Sequence, residues 1–162
     1  MRKRAAALLA VGFAAASLVA VTASPAVAAP VVACSKATFK SDNVKKTSTS
    51  VISVCTNPAV SGGGAKLVAN FKNLNKITAK ITWNNGKGTT SYTVTQKAGP
   101  ASANNCKLTA GKKDALIVSV GKFVSGTGKA GTALKGKTYK ESLCVPPSLK
   151  LYLKPGSKIT FG

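Results

Sequence analysis

The chain has 162 residues, with 24 Lys and Arg against three Asp and Glu and no histidine, a formal net charge of +21. That balance excludes histidine-based catalysis and shows no paired carboxylates for acid/base work, while the length suits one domain with its own core rather than two. A zinc site is disfavoured as well, because no interval between the four cysteines is a C-x-x-C and no histidine can complete a mixed ligand set.

Residues 1–28 read as a secretory signal peptide. Arg2, Lys3 and Arg4 form a basic start, residues 5–23 are almost wholly apolar and Ala-rich, and Ala26-Val27-Ala28 supplies the small residues for cleavage after Ala28. The Ala-rich core points to bacterial export, and the Ser24-Pro25 that follows it argues against a membrane span. A rival route is Val31-Val32-Ala33-Cys34, which has lipobox form and would leave an acylated, membrane-anchored Cys34 at a new N-terminus. That route leaves an odd cysteine, so a secreted or cell-wall-associated protein is the preferred reading. Cleavage leaves residues 29–162 as a single β domain in which every basic residue is lysine and no run is long enough for a transmembrane helix.

In an exported chain Cys34, Cys55, Cys106 and Cys144 are expected to form two disulfides. Sequential closure pairs Cys34 with Cys55 and Cys106 with Cys144, and a proline-containing turn then follows each loop, at Asn57-Pro58 and at Pro146-Pro147. Covalent staples have an obvious use in a chain whose uniform charge opposes compaction.

Taken in order, residues 37–40 form a short candidate strand, and residues 51–55 a second one, apolar on both sides and therefore expected to lie centrally. After Asn57-Pro58 and the glycines at 62–64, Leu67, Ala69 and Phe71 share one face of a third strand. The clearest stretch is 76–96. Ile77, Ala79, Ile81 and Trp83 alternate with Lys76, Thr78, Lys80 and Thr82, the period-two pattern of a half-buried strand. Asn85-Gly86 tolerates the positive φ that a type I′ hairpin turn requires at both central positions. The resulting register sets Ile81 opposite Thr90, Ala79 opposite Tyr92 and Ile77 opposite Val94. A one-residue slip would exchange the faces. Trp83 falls opposite Gly88, whose missing side chain leaves room for the indole.

Gly99-Pro100 marks a loop, and Cys106-Lys107-Leu108 precedes another turn at Gly111. Residues 116–120 read as a strand buried on both faces. Residues 121–137 carry five glycines interleaved with Lys122, Lys129, Lys135 and Lys137, and some of this stretch reads as a mobile loop. Leu149, Leu151 and Leu153 alternate with Lys150, Tyr152 and Lys154 before Pro155-Gly156 leads into Ile159 and Phe161. These two segments fail the parity of a two-residue hairpin, so they are expected on opposite sheets.

Short strands at regular intervals, separated by Gly, Pro and Asn turns, predict an all-β fold. The first choice is an antiparallel β-sandwich of roughly seven to nine strands. It is immunoglobulin-like in architecture only, because no Tyr-x-Cys precedes a later cysteine; a small β-barrel is the second choice.

Two tempting motifs lack their context. Residues 131–138, G-T-A-L-K-G-K-T, satisfy the P-loop expression, but little room remains before Pro146-Pro147 for the helix that must follow. Ser119-Val120-Gly121-Lys122 and Ser41-Asp42-Asn43 match two serine β-lactamase motifs in reversed order and without K-T-G. Asp42, Asp114 and Glu141 are expected to form surface ion pairs with neighbours such as Lys113 and Lys140, and the protein is read as a non-enzyme without metal or cofactor. Its lysines carry the functional signal, a positive field for an anionic polymer of the cell wall or extracellular matrix. Lys122, Lys129, Lys135 and Lys137 are the candidate contacts. Lysine without arginine favours diffuse attraction over bidentate phosphate recognition, and the few aromatics give no specific nucleic-acid readout. A membrane-active antimicrobial or toxin-like protein and an exported protease inhibitor are the alternatives.

Overall fold

The computed structural model describes residues 31–42, 44–73, 76–109 and 111–162, so the expected signal peptide lies outside the described residues. Among these residues eleven strands and two short α-helices follow in order. They are β1 (Val32–Asp42), β2 (Thr47–Cys55), α1 (Pro58–Ser61), β3 (Gly64–Asn70), β4 (Ile77–Trp83) and β5 (Gly88–Ala98), then, after a 3-10 turn at Ala101–Ala103, β6 (Leu108–Thr109), β7 (Lys112–Lys113) and β8 (Ala115–Thr127). The chain ends with α2 (Gly128–Ala133), β9 (Thr138–Val145), β10 (Tyr152–Leu153) and β11 (Ile159–Phe161).

The fold is all-β and antiparallel, and eight of its strands close a barrel in the order β9-β11-β1-β2-β3-β4-β5-β8, with β8 hydrogen-bonded back to β9. This replaces the expected sandwich with the second choice. The reason is physical: sandwich and barrel share the same period-two alternation, and they differ only in whether the outermost edges find each other. Here β9 pairs along one edge with β8 and along the other with β10 and β11, and β11 carries the ladder to β1. Each of the eight strands is thus hydrogen-bonded to a neighbour on both sides, although β11 covers only Val32 to Cys34 of β1, and closure limits edge-to-edge association.

The hairpin of β4 and β5 has the register its sequence predicts, Ile77↔Val94, Ala79↔Tyr92, Ile81↔Thr90 and Trp83↔Gly88. Asn85 and Gly86 both have positive φ, and the Lys87 N–H closes the turn onto the Asn84 carbonyl at 3.2 Å. Gly88 plays a different part from the one expected. A Cβ there would lie 1.9 Å from the Thr127 carbonyl oxygen, so the glycine admits the backbone of β8 rather than the indole. The indole instead donates from Nε1 to Thr90 Oγ1 at 3.0 Å and meets Phe161 edge-on, with ring centroids 5.0 Å apart.

Other expectations are corrected. Val51 and Val54 are 55% and 58% exposed, because β2 is a barrel wall with one inward row rather than a buried central strand. Leu116 and Ile117 are covered on opposite faces: Ile117 lines the lumen, whereas Leu116 lies under Cys106, Cys144 and Tyr152. The segment 121–137 is mostly ordered structure, being the end of β8 followed by α2. Helix therefore precedes Lys135-Gly136-Lys137-Thr138 and a strand follows, the reverse of a P-loop. Ser119 is buried in β8 while Lys122 is exposed, so the S-x-x-K match does not bring its serine and lysine together.

β10 and β11 do not cross between sheets. Tyr152↔Cys144 and Leu153↔Leu143 precede Thr160↔Lys140 and Phe161↔Tyr139 on the same edge of β9, so the two short strands lie in line. The segment around Pro155-Gly156 loops out between them, closed by the Ser157 N–H and Oγ donating to the Lys154 carbonyl. The displacement along β9 is an even number of residues, which keeps Leu153 and Phe161 on the inner face.

Both disulfides pair as sequential closure predicts, Cys34–Cys55 and Cys106–Cys144. The first staples β1 to β2. The second fastens the excursion carrying β6 and β7 to β9. Among the described residues no helix is long and apolar enough to cross a membrane.

Gly88 and Gly86 offer a direct test of this geometry. Gly88→Ala should cost about 3 kcal/mol or more in urea unfolding with an unchanged m-value, since it combines φ of +104° with a backbone collision. Gly86→Ala, with φ of +66° but open space around its Cβ, should cost only roughly 1 to 2 kcal/mol. Equal costs would contradict the contact of Gly88 with β8.

Candidate functional site

The two ends of the barrel are built differently. Toward one end Trp83, Tyr92, Tyr139 and Phe161 fill the lumen with ring centroids 5.0 to 6.0 Å apart, at tilted or edge-on angles. α2 caps this end by burying Ala130 and Leu134 completely, and the Ala130 N–H donates to the Lys87 carbonyl at 2.9 Å.

Toward the other end the lumen holds a cavity of about 210 Å³. Phe39, Leu67 and Phe71 line one wall together with Ser41, Ser48 and Ser50, with Ile117, Leu143 and Val145 across it. A second polar row carries the charged group. Gln96, Ser119 and Glu141 are direct cross-strand partners on β5, β8 and β9, so their side chains lie side by side on the inner face. Gln96 Nε2 donates to Ser119 Oγ at 3.2 Å, and the Ser119 and Tyr139 hydroxyls both hydrogen-bond the Glu141 carboxyl group. Burial raises the pKa of Glu141 above the usual carboxylate range, with the two hydroxyl contacts opposing it. Tyr139 is held well above its ordinary value by burial and by the adjacent Glu141, and burial pushes Tyr92 up to about 12, outweighing the neighbouring Thr90 hydroxyl.

The acids therefore do not behave as expected. Glu141 lines the lumen, and Asp114 is buried and accepts the Tyr152 hydroxyl at 2.7 Å through Oδ2. Lys113 donates instead to the Asn104 carbonyl at 2.8 Å. Asp42 alone keeps a lysine, Lys45 Nζ at 3.8 Å, which is the only ion pair among the described residues. No group of three or more His, Cys, Asp and Glu forms a metal-binding cluster among those residues.

The lysines named from sequence are partly brought together. Lys129 lies in α2, and Lys135 and Lys137 follow it, all exposed at the capped end. Lys122 lies on the outer wall of β8, paired with Thr93 and Thr138. Sequence reading missed two neighbours. Lys87 is tied to α2 by its backbone, and Lys140 stands diagonally from Lys122 across the β8–β9 ladder, at the about 7–8 Å spacing of such pairs. It also missed Glu141 as a lumen residue. The alternation Tyr139, Glu141, Leu143, Val145 against Lys140 and Ser142 carries that signal, but one carboxylate interrupts the apolar row and hides the strand.

Comparison with protein-family models, with curated proteins and with solved structures yields no match.

Two pH effects follow from the buried groups. A carboxyl whose folded pKa is raised contributes stability that is complete below its unfolded value near 4.5 and is lost as pH rises through the folded value. The thermal midpoint of the wild type should therefore fall relative to Glu141→Gln as pH is raised from about 4 toward neutrality, and parallel curves would contradict the assignment. Tyr92 should resist ionisation near pH 10 and contribute stability that is lost between 10 and about 12. Absorbance titration at 295 nm checks this, since three tyrosines ionising together near pH 10 in the native protein would refute it.

Proposed function

We propose that the protein is an exported, non-enzymatic cationic binding protein whose outer wall holds an anionic polymer of the cell wall or extracellular matrix. The observation that carries this reading is the near absence of charge compensation. The chain has a formal charge of +21, yet the described residues contain one lysine–carboxylate pair, and two of the three acids are buried. Among the described residues the positive field is cancelled at short range by a carboxylate only at Asp42–Lys45, and it attracts polyanions as a whole.

The chemistry of the wall fits such a partner. Along β4, β5 and β8 the outward positions include Thr78, Lys80 and Thr82, then Ser91, Thr93 and Lys122, hydroxyls and ammonium groups beside the outward Val118 and Val120 of β8. Lysine offers hydrated point charges rather than a planar fork, which suits a flexible phosphate or carboxylate polymer without a fixed register. Lys122, Lys129, Lys135 and Lys137, joined by Lys87 and Lys140, form the densest stretch named above and are the proposed contact. The Cys34 sulfur is bonded to Cys55, and acylation requires that same atom, which supports export without a lipid anchor.

Polyphosphate and mixed-sequence DNA are suitable probes. Affinity for both should fall at least tenfold between about 50 and 300 mM salt, and salt-independent binding would overturn the reading. At equal charge removed, Lys129→Gln with Lys135→Gln and Lys137→Gln should weaken binding more than Lys36→Gln with Lys40→Gln and Lys66→Gln. Equal losses would deny the capped end a special role.

A further inference from the structure

We propose that the barrel lumen is a second, separate binding site, and that it takes a small apolar amine whose ammonium group pairs with Glu141. The size of the cavity sets the body of the ligand. Cavities of about 150 Å³ lined by aliphatic and aromatic side chains accept benzene, so about 210 Å³ corresponds to roughly eight non-hydrogen atoms. An eight-stranded barrel is also the size at which the interior can hold one small molecule instead of being filled by side chains alone.

The direction of the hydrogen bonds sets the head group. Gln96 gives an N–H to Ser119, and Ser119 and Tyr139 both direct hydroxyls at Glu141, so the row converges on a carboxylate whose remaining lone pairs are acceptors. A ligand meeting this row must bring donors. A carboxylate ligand would place like charge against Glu141. An alcohol supplies one donor. An ammonium supplies three and also the countercharge that no lysine provides, since the only ion pair among the described residues is at Asp42. The outer lysines repel a cation at a distance, but physiological salt screens that repulsion beyond about 8 Å, whereas a pair inside the barrel is screened far less.

The site is independent of the polyanion reading, because it uses none of the proposed contact lysines. Its test is a closely matched series of benzylamine, benzyl alcohol and benzoate, measured by calorimetry and by methyl chemical shifts. Benzylamine should bind with a sub-millimolar Kd, at least tenfold tighter than benzyl alcohol, and should move the methyl signals of Ile117, Leu143 and Val145. Benzoate should not bind. In Glu141→Gln the amine should lose its advantage and fall to within about threefold of the alcohol, which the shifts of the unaltered lumen methyls report even if stability changes. Ala69→Leu, which adds bulk at the cavity wall, should weaken amine and alcohol alike. The proposal is overturned if no amine binds at 10 mM, if benzoate binds as well as benzylamine, or if Glu141→Gln leaves the amine preference intact.

Discussion

Closure of the barrel depends on β9, which is hydrogen-bonded to β8 along one edge and to β10 and β11 along the other. On one side eight successive pairs join it to β8; on the other only four pairs join it to β10 and β11. The weaker side is the seam, and both disulfides lie beside it. Cys34–Cys55 fixes β1, the strand that receives β11, and Cys106–Cys144 attaches to β9 itself, directly opposite Tyr152 of β10. Loops of this size each give a cross-link worth about 3 to 4 kcal/mol in the chain-entropy account. Those staples act where the ladder is thinnest and where lysine self-repulsion would otherwise open it.

The seam also explains how charge is divided. A closed sheet has one inner face, and every residue at an inward position must satisfy the lumen. The chain places nearly all its charge at outward positions or in turns, and its acids then serve local structure. Asp42 accepts the backbone N–H groups of Val44 and Lys45 in the β1–β2 turn. Asp114 holds Tyr152, whose hydroxyl in turn accepts the Lys107 N–H at 2.8 Å, tying the stapled excursion to β10. Neither carboxylate neutralises the wall. A uniformly positive exterior is therefore a consequence of where the acids are used, as much as of how few there are.

Local geometry was legible in the sequence and closure was not. The β4–β5 register could be read pair by pair, because Asn85-Gly86 admits one turn type and the alternation of Ile77 to Trp83 punishes any slip. The disulfide order agrees with sequential closure, one of three connectivities four cysteines allow. The choice between sandwich and barrel was hidden because it turns on β9 and on three-residue β11. Glu141 broke the apolar row that would have revealed β9, and an insertion around Pro155-Gly156 disguised β10 and β11 as a failed hairpin. Alternation reports which face a residue takes, but it carries no information about which strand lies at the other edge. The lumen was invisible for the same reason, since a cavity belongs to all eight walls at once.

Glu141 stands where the two ends of the barrel meet, one residue row above Tyr139 and the aromatic filling. A barrel that needed only to close could carry an aliphatic residue there, continuing Leu143 and Val145 and sparing the cost of desolvating a carboxyl group. Replacing buried ionic groups by apolar ones of similar volume is often neutral or stabilising, so the carboxyl is not explained by stability. Nor does a lysine neutralise it, although the chain is dominated by lysine. What the carboxyl does provide is a fixed acidic acceptor in the cavity wall, held by two hydroxyls and in line with Gln96. Among the described residues it is the acid that lines this cavity, in a chain whose formal charge is strongly positive.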